Sequence, residues 1–551
     1  MGETAWVKIG RSRLFAWSDF RFCSGMSPPG NLDDLSPAEL QALVIRLMGD
    51  IAELQRVIAD QRAEIARLKG LKGRPQLKPS QPSGMEEASL SKPTHPRRRG
   101  RSHQTRVAVE TAMIPVAVPA GSRFKGYQDY VVQELEIRPR VIRYRRERWL
   151  TPDGRTVVAP LPAGICGHFG PNLRRFVLAQ CHQGQVTVPR LVAQLRDFGL
   201  AVSKRQLVRL LTARQEPFLA EARDVLRAGL TSAAWLAVDD TGARHKAQNG
   251  FCTQIGNHRF AWFGTTASKS RRNFLELLRA GYDDYVINAE ALAYMRRRNL
   301  AGPVIRRLAA HPDQHFADHA AWQAHLDRLG IKALTVTPDP VLIATEGALW
   351  GSVKAHGFLP DTVLVSDDAG QFAVGRHALC WIHAERLVHK LDTFTDRQRA
   401  AQQHVRALIW WFYRDLKAYC RDPTAPRRAA LRARFDRIFK RRTGFATLDR
   451  RLARLHANKA ELLMALDRPD IPLHTNSAEN AIRCQVTKRK ISGGTRSDRG
   501  RNCRDAFLGL VKTCAKLGLA FWDYLGARLS CTDQGSVPDL SQLVSAPLPR
   551  T

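Results

Sequence analysis

Two short apolar runs in this chain end the same way, and they constrain its fold more than anything else in the sequence. "WLAVDDTGARH" (235–245) and "DTVLVSDDAGQF" (361–372) each read as a strand that closes on a pair of aspartates. An unpaired carboxylate is costly to bury, so acids in this position mark a strand end that faces a site rather than a core. "GFCTQIGNHRFAWFGTT" (250–266) follows the first run as two β-rich stretches around Gly256-Asn257, a hairpin signal, so the first acid-bearing strand opens a meander. Between the two acidic ends, "NAEALAYMRRRNLAGPVIRRLAAHPDQHFADHAAWQAHLDRLG" (288–330) reads as helical text, within an insert expected over 281–350. The pattern predicts an α/β domain. Taken alone, each aspartate pair also fits an ordinary turn.

A third acid stands farther on. "HTNSAENAIRCQVTKRK" (474–490) holds one carboxylate, Glu479, followed by Arg483, Lys488, Arg489 and Lys490. One reading is a capping box with Asn476 as N-cap and Glu479 at N3. The other is chemical. Phosphoryl transfer on a nucleic-acid backbone is served by two divalent ions about 4 Å apart, one activating the attacker and one neutralising the leaving oxygen. Such ions prefer hard oxygen ligands, hence Asp and Glu. Three acids would hold the metal while the surrounding cations hold phosphate.

The charge balance favours such a partner. The 551 residues include 86 Lys and Arg against 51 Asp and Glu, a net charge of +35, which suits a polyanion such as nucleic acid. The longest apolar stretch, "ALIWWFY" (407–413), falls far short of the ~20 residues of a membrane span, so no membrane partner is expected. The N-terminus has no apolar core of signal-peptide length, and a cytoplasmic, nucleoid-associated protein is expected. The ten cysteines form no C-x-x-C pair and read as reduced and mostly buried.

The length suggests about three domains. Residues 1–35 read as a disordered N-terminus, with Met26 an alternative start. Over 36–70, Ser36, Pro37 and Glu39 give a capping box and first-turn proline. Val44, Leu47, Ile51, Leu54, Ile58, Gln61, Ile65 and Leu68 then form a heptad seam. A self-associating coiled coil through 40–68 is expected, with a helix docked on its own domain as the alternative. Residues 71–107 read as a basic disordered linker. Residues 108–165 read as a small basic β-module, from the alternation of "VVQELEIRPRVIRYRRERWL" and a turn at Asp153-Gly154. Residues 166–230 read as helical. In them "TVPRLVAQLRDFGLAVSKRQLVRLL" predicts helix, turn at Gly199 and a second helix capped by Ser203, a helix-turn-helix-like pair offering Lys204, Arg205 and Arg209 to DNA. A plain helical hairpin would look the same.

Several motifs occur in a fixed order after "VDDT" and "SDD": "CWIHAER" (380–386), "NSAENAIR" (476–483), "KRKISGGTRSDRG" (488–500) and "CAKLGLAFWDYL" (514–525). In that order they resemble the transposases of the IS66 family of bacterial insertion sequences, over roughly 170–530. The resemblance implies an α/β, RNase H-like catalytic core with a DDE triad that cuts element ends and joins them to target DNA using Mg²⁺. Two ions are implied, with Mn²⁺ as an alternative. It puts the acids at Asp239, Asp367 and Glu479, as catalytic and metal-binding residues, with Asp240 and Asp368 as the one-residue alternatives. It also implies a core running over 231–380, a helical insertion over 381–470, and a return to the core over 471–530 with the catalytic Glu helix. Residues 531–551 are expected as a disordered tail. The implied partners are double-stranded DNA, as terminal inverted repeats and target, a second copy of the chain, and small accessory proteins encoded beside the transposase.

Two departures from the family pattern stand out. The cysteine-rich zinc segment that the family commonly carries has no counterpart before Cys166, so no structural zinc is expected there. The first two acids are 128 residues apart, which the helical insert explains. Arg483, Lys488, Arg489, Lys490 and Arg496 are expected to contact phosphates, and Gly493-Gly494 to let the backbone approach DNA. The arginine-rich text at 427–442 suggests a DNA-gripping surface. His383 reads as a hydrogen-bonded core residue or a contact to the scissile phosphate. A catalytically inactive DNA-binding remnant, and a nuclease that never joins strands, are the rival readings.

Overall fold

The computed structural model describes residues 36–68, 108–162, 165, 167–531 and 535–546. The expected disordered N-terminus, the basic linker at 71–107 and Cys166 lie outside the described residues. The chain divides into two compact units, residues 1–81 with 392–400, and the remainder.

In the first unit, helix α1 (Pro37–Leu68) starts as its sequence dictates. The Ser36 N–H donates to Glu39 Oε2 at 3.0 Å, and the Glu39 N–H donates back to Ser36 Oγ at 3.4 Å. Along the seam, Val44, Leu47, Ile51, Leu54 and Ile58 remain between 45% and 59% exposed.

The second unit begins with a correction. The alternating text at 131–147 forms no strand, and every residue from 108 to 150 is exposed. Only Arg148–Leu150 and Thr156–Val158 pair, as a short antiparallel hairpin whose turn uses Gly154 at φ +78°. Alternation makes a strand only where a second strand supplies backbone partners and a core supplies burial, and neither is present here. The helical pair follows its sequence signals more closely. Helix α2 (Val188–Asp197) ends before Gly199, at φ +82°, and α3 (Lys204–Thr212) starts from a complete Ser203–Gln206 capping box. Helix α4 (Glu216–Ser232) leads into the sheet.

The sheet has five strands: β1 (Trp235–His245), β2 (Gln248–Gly256), β3 (Ala261–Thr266), β4 (Val363–Ser366) and β5 (Arg376–Leu379), in the order β3-β2-β1-β4-β5. The first three form an antiparallel meander, while β4 runs parallel to β1 and β5 parallel to β4. Both faces are covered. On one face Leu236, Val238, Ile255 and Leu364 join a large core with α4, α5 (Arg271–Leu278) and α6 (Pro340–Ala355). The expected insert at 281–350 contributes to this same core: Tyr294, Trp322 and Trp350 are nearly fully buried in it.

The other face is shared. Val363 and Val365 pack with α7 (Trp381–His389), α8 (Asp396–Arg421), α9 (Ala425–Phe439) and α10 (Ala446–Ala457) in a second core. Ala243, Cys252 and Phe263 pack with Ala481 and Ile482 of α11 (Asn476–Ser492) and Leu508 of α12 (Asp498–Lys516).

The expected disordered tail needs a second correction. Residues 535–546 are described, and they include a helix, α13 (Leu540–Ser545). Its Leu540 and Val544, one turn apart, are 0% and 3% exposed, so apolar burial orders it. Among the described residues no helix is long and apolar enough to cross a membrane.

Candidate active site

The register of the sheet decides which acid of each pair faces inward. Trp235, Leu236 and Ala237 of β1 lie opposite Val363, Leu364 and Val365 of β4. Two residues farther along come Asp239, within β1, and Asp367, one residue past the end of β4. Because side chains alternate, Asp239 shares the face of Trp235 and Ala243, which α7 and α11 cover, and Asp367 shares that of Val363 and Val365. Asp240 falls in phase with Leu236 and Val238 and turns to the opposite face.

Their partners agree with this division. Asp240 is ion-paired to Lys269 and accepts from Gln371 Nε2 at 2.8 Å. Asp368 accepts from Arg454 Nε at 2.8 Å and Asn458 Nδ2 at 3.2 Å. Among the described residues Asp239 instead accepts only the Asp240 N–H, at 2.8 Å, and Asp367 only the Ala369 N–H, at 3.2 Å. Among those residues, one acid of each pair is engaged by side chains and the other by a backbone N–H. Lys269, Gln371, Arg454 and Asn458 carry no sequence signal for these roles.

Glu479 comes from α11, one turn in. The capping-box reading is corrected here: the helix starts from Thr475, whose side chain makes no cap hydrogen bond, and the Glu479 N–H bonds the Thr475 carbonyl. Glu479 Oε1 is buried without a hydrogen-bond donor. His383 Nε2 approaches it at 3.6 Å, an ion-pair distance.

These four groups sense one another. Burial pushes the Asp239 carboxyl up to about 7, the hydrogen bond from Asp240 opposes this, and the negative charges of Asp367 and Glu479 add to the rise. Asp367 is also raised by burial, against the opposing charge of His383. Burial works against a charge on His383, but Cys380, Glu479 and Asp367 outweigh it and lift the imidazole to about 9. His383 thus keeps the hydrogen-bonded setting expected for it, with Cys380, and also faces the carboxylates of Glu479 and Asp367. Trp381, two residues earlier, is core: it is 1% exposed and donates Nε1–H to the Leu462 carbonyl at 2.9 Å.

No three Asp, Glu, His or Cys side chains among the described residues are drawn together tightly enough to grip a metal ion as they stand. The donor set nonetheless suits a hard divalent cation. Asp239 and Asp367 are both pushed up by burial, Asp239 feels the charges of Asp367 and Glu479, and a buried Glu479 oxygen lacks a hydrogen-bond donor.

The cations expected to bind phosphate divide into two groups. Arg483, Lys490 and Arg496 are exposed, as are Lys204, Arg205 and Arg209 on α3. Lys488 and Arg489 are corrections. Lys488 is 8% exposed and donates to the Cys181 carbonyl at 2.7 Å, while Arg489 donates to the Gly242 carbonyl of β1. Both pin α11 to the body of the protein. Gly494 is likewise spent internally: a Cβ there would lie 2.6 Å from the Arg244 carbonyl, where Thr495 N–H bonds the same oxygen at 2.9 Å. That close approach is to the protein's own strand rather than to DNA.

The sequence profile described as "Transposase IS66 family" matches residues 361–502, a stretch that contains Asp367, His383 and Glu479. The chain is also similar to an uncharacterized protein, y4jO, of Sinorhizobium fredii (strain NBRC 101917 / NGR234). The two are 51% identical over 322 residues, which is 58% of this chain and 99% of that protein. The chain therefore carries an IS66-family transposase domain over residues 361–502.

Proposed function

We propose that this protein is a DDE transposase that cleaves the ends of its insertion sequence and joins them to target DNA. What supports this reading is that the charges of Asp367 and Glu479 both act on the buried Asp239 carboxyl, while Asp240 and Asp368 are engaged by other side chains. The strand order β3-β2-β1-β4-β5, with a three-stranded meander and two further parallel strands, supports an RNase H-like core.

In this reading Asp239, Asp367 and Glu479 hold two Mg²⁺ ions, or Mn²⁺ in their place. When bound, the metal supplies Lewis acidity toward the phosphodiester and lowers the pKa of the attacking hydroxyl. The chain's own residues do the rest. The sheet fixes Asp239 within β1 and Asp367 just past the end of the adjacent β4, and α11, held by Lys488 and Arg489, carries the third acid, Glu479. His383 keeps a proton beside Glu479 and lends positive charge next to the scissile phosphate. Arg483, Lys490 and Arg496, and Lys204, Arg205 and Arg209 on α3, hold the DNA backbone without reading sequence. The exposed α1 seam pairs two copies, so that two DNA ends are handled together. The place of work is the bacterial cytoplasm, on the nucleoid.

The test is strand joining with pre-cut element ends and Mg²⁺. Glu479→Gln should lower it by at least about 100-fold, the loss of several kcal/mol of charge stabilisation. Wild-type protein that binds the ends but never cuts them would be an inactive remnant, and cutting without joining would mark a nuclease.

A further inference from the structure

A second site lies in the helical insertion, between α8 and α9. There an open cavity of about 400 Å³ is lined by Trp411, Arg414, Asp415, Arg434, Arg437 and Arg441, among others. That volume falls in the ~300–1,000 Å³ range of small-ligand sites. Helix α8 buries Val405, Ile409, Phe412, Leu416 and Tyr419 at spacings of three and four, which accounts for its packing. Trp411 lies off that stripe and is 58% exposed, whereas Trp322, Trp350 and Trp381 are at most 2% exposed.

The charge around the indole is lopsided. Four arginines face one carboxylate, Asp415. Asp415 is taken by Arg434, with Arg414 3.7 Å away. Arg441 donates to His404 Nε2 at 2.7 Å, and among the described residues neither Arg437 nor Arg441 has a carboxylate partner. An exposed aromatic face ringed by guanidinium groups offers a stacking surface for a planar base and charge for its phosphates, the two components of single-strand recognition.

We infer that this cavity holds an unpaired base of a DNA strand, stacked on Trp411, with Arg437 and Arg441 on the flanking phosphates. The indole cannot reach a base inside an intact duplex, so the occupant is a nucleotide freed from the stack, such as one exposed when an end is cut. The inference rests on the transposase reading only for the identity of DNA as the occupant. Its geometry is independent of the carboxylates.

The experiment is fluorescence-anisotropy binding of a labelled oligo(dT) strand and of a duplex of equal length to the full chain, alongside strand joining. Trp411→Ala should weaken oligo(dT) binding about tenfold, Trp411→Phe should retain most of it, and duplex binding should change little. Arg437→Ala with Arg441→Ala should flatten the salt dependence of oligo(dT) binding. Equal oligo(dT) affinity of wild type and Trp411→Ala overturns the inference, as does equal loss on strand and duplex, which would make the cavity a phosphate-holding surface. Thermal melting checks that the variants fold, as expected for exposed positions. Glu479→Gln keeps oligo(dT) binding on this account. Loss of joining activity in wild type would therefore sink the transposase reading and leave the base site standing, and the converse pattern would do the reverse.

Discussion

Asp239 carries its proton far above the ordinary carboxylate range, to about 7, because it is buried beside other acids. An acid whose folded pKa is raised contributes its stability in full below its unfolded value, about 4, and loses it as pH rises through the folded value. Above neutrality the ionised cluster therefore works against folding until a cation neutralises it. Mg²⁺ should accordingly raise Tm more at about pH 8 than at about pH 6, and scanning fluorimetry at the two pH values reads this directly. Equal shifts would mean the ion binds elsewhere. The paired acids separate by substitution. Asp239→Asn should abolish joining and, at about pH 8, raise Tm by removing the buried charge, while Asp240→Asn, which frees Lys269, should cost about 1–3 kcal/mol of stability and leave residual joining. Lys488→Met should behave like a core variant, costing about 1–3 kcal/mol in urea denaturation without weakening DNA binding. Its burial was hidden in the sequence because its acceptor, Cys181, lies 307 positions away, and nothing local in α11 distinguishes it from the exposed Lys490.

Helices and their ends were legible where a local chemical device fixes them. Ser36 forms the capping box that its spacing to Glu39 predicts, and Ser203 caps its helix as expected, with Gln206 completing a capping box that the sequence reading did not name. The two acid-bearing strands were legible too, but the first does not end on its acids: Asp239 and Asp240 lie within β1, which the meander partner β2 extends to His245, whereas Asp367 and Asp368 directly follow β4. The 131–147 stretch was misread because a strand is a statement about a neighbour, which alternation alone does not supply. The choice of Asp239 over Asp240 also needed the register of β1 on β4. For α1 the exposed seam makes a prediction at this scale. Ile51→Lys places a charge at the centre of the stripe and should convert the dimer or higher assembly to monomer in sedimentation experiments, leaving the far-ultraviolet spectrum of the other unit unchanged. A wild-type chain already monomeric at micromolar concentration would overturn it.

At the scale of the molecule, the net charge pointed toward a polyanion, while the assembly of the core did not show in any local stretch. The helical text between the two acid-bearing strands turned out to build the layer under the sheet, and the C-terminal residues close over the same core. Leu540→Ala should thus cost about 2–5 kcal/mol, seen as a lowered Tm, although it lies only a few residues from the end of the described chain.

Each aspartate pair joins a residue that faces the site to a residue tethered to another layer. Asp240 is fastened to Lys269 and Gln371, and Asp368 to Arg454 and Asn458 on and just after α10. Since Asp367 and Asp368 share a peptide bond, a pull on the helical insertion is also a pull on a site carboxylate. On the proposed transposase reading, the insertion would be a handle on the site's geometry, and DNA that loads it would tune the spacing of the acids without touching them.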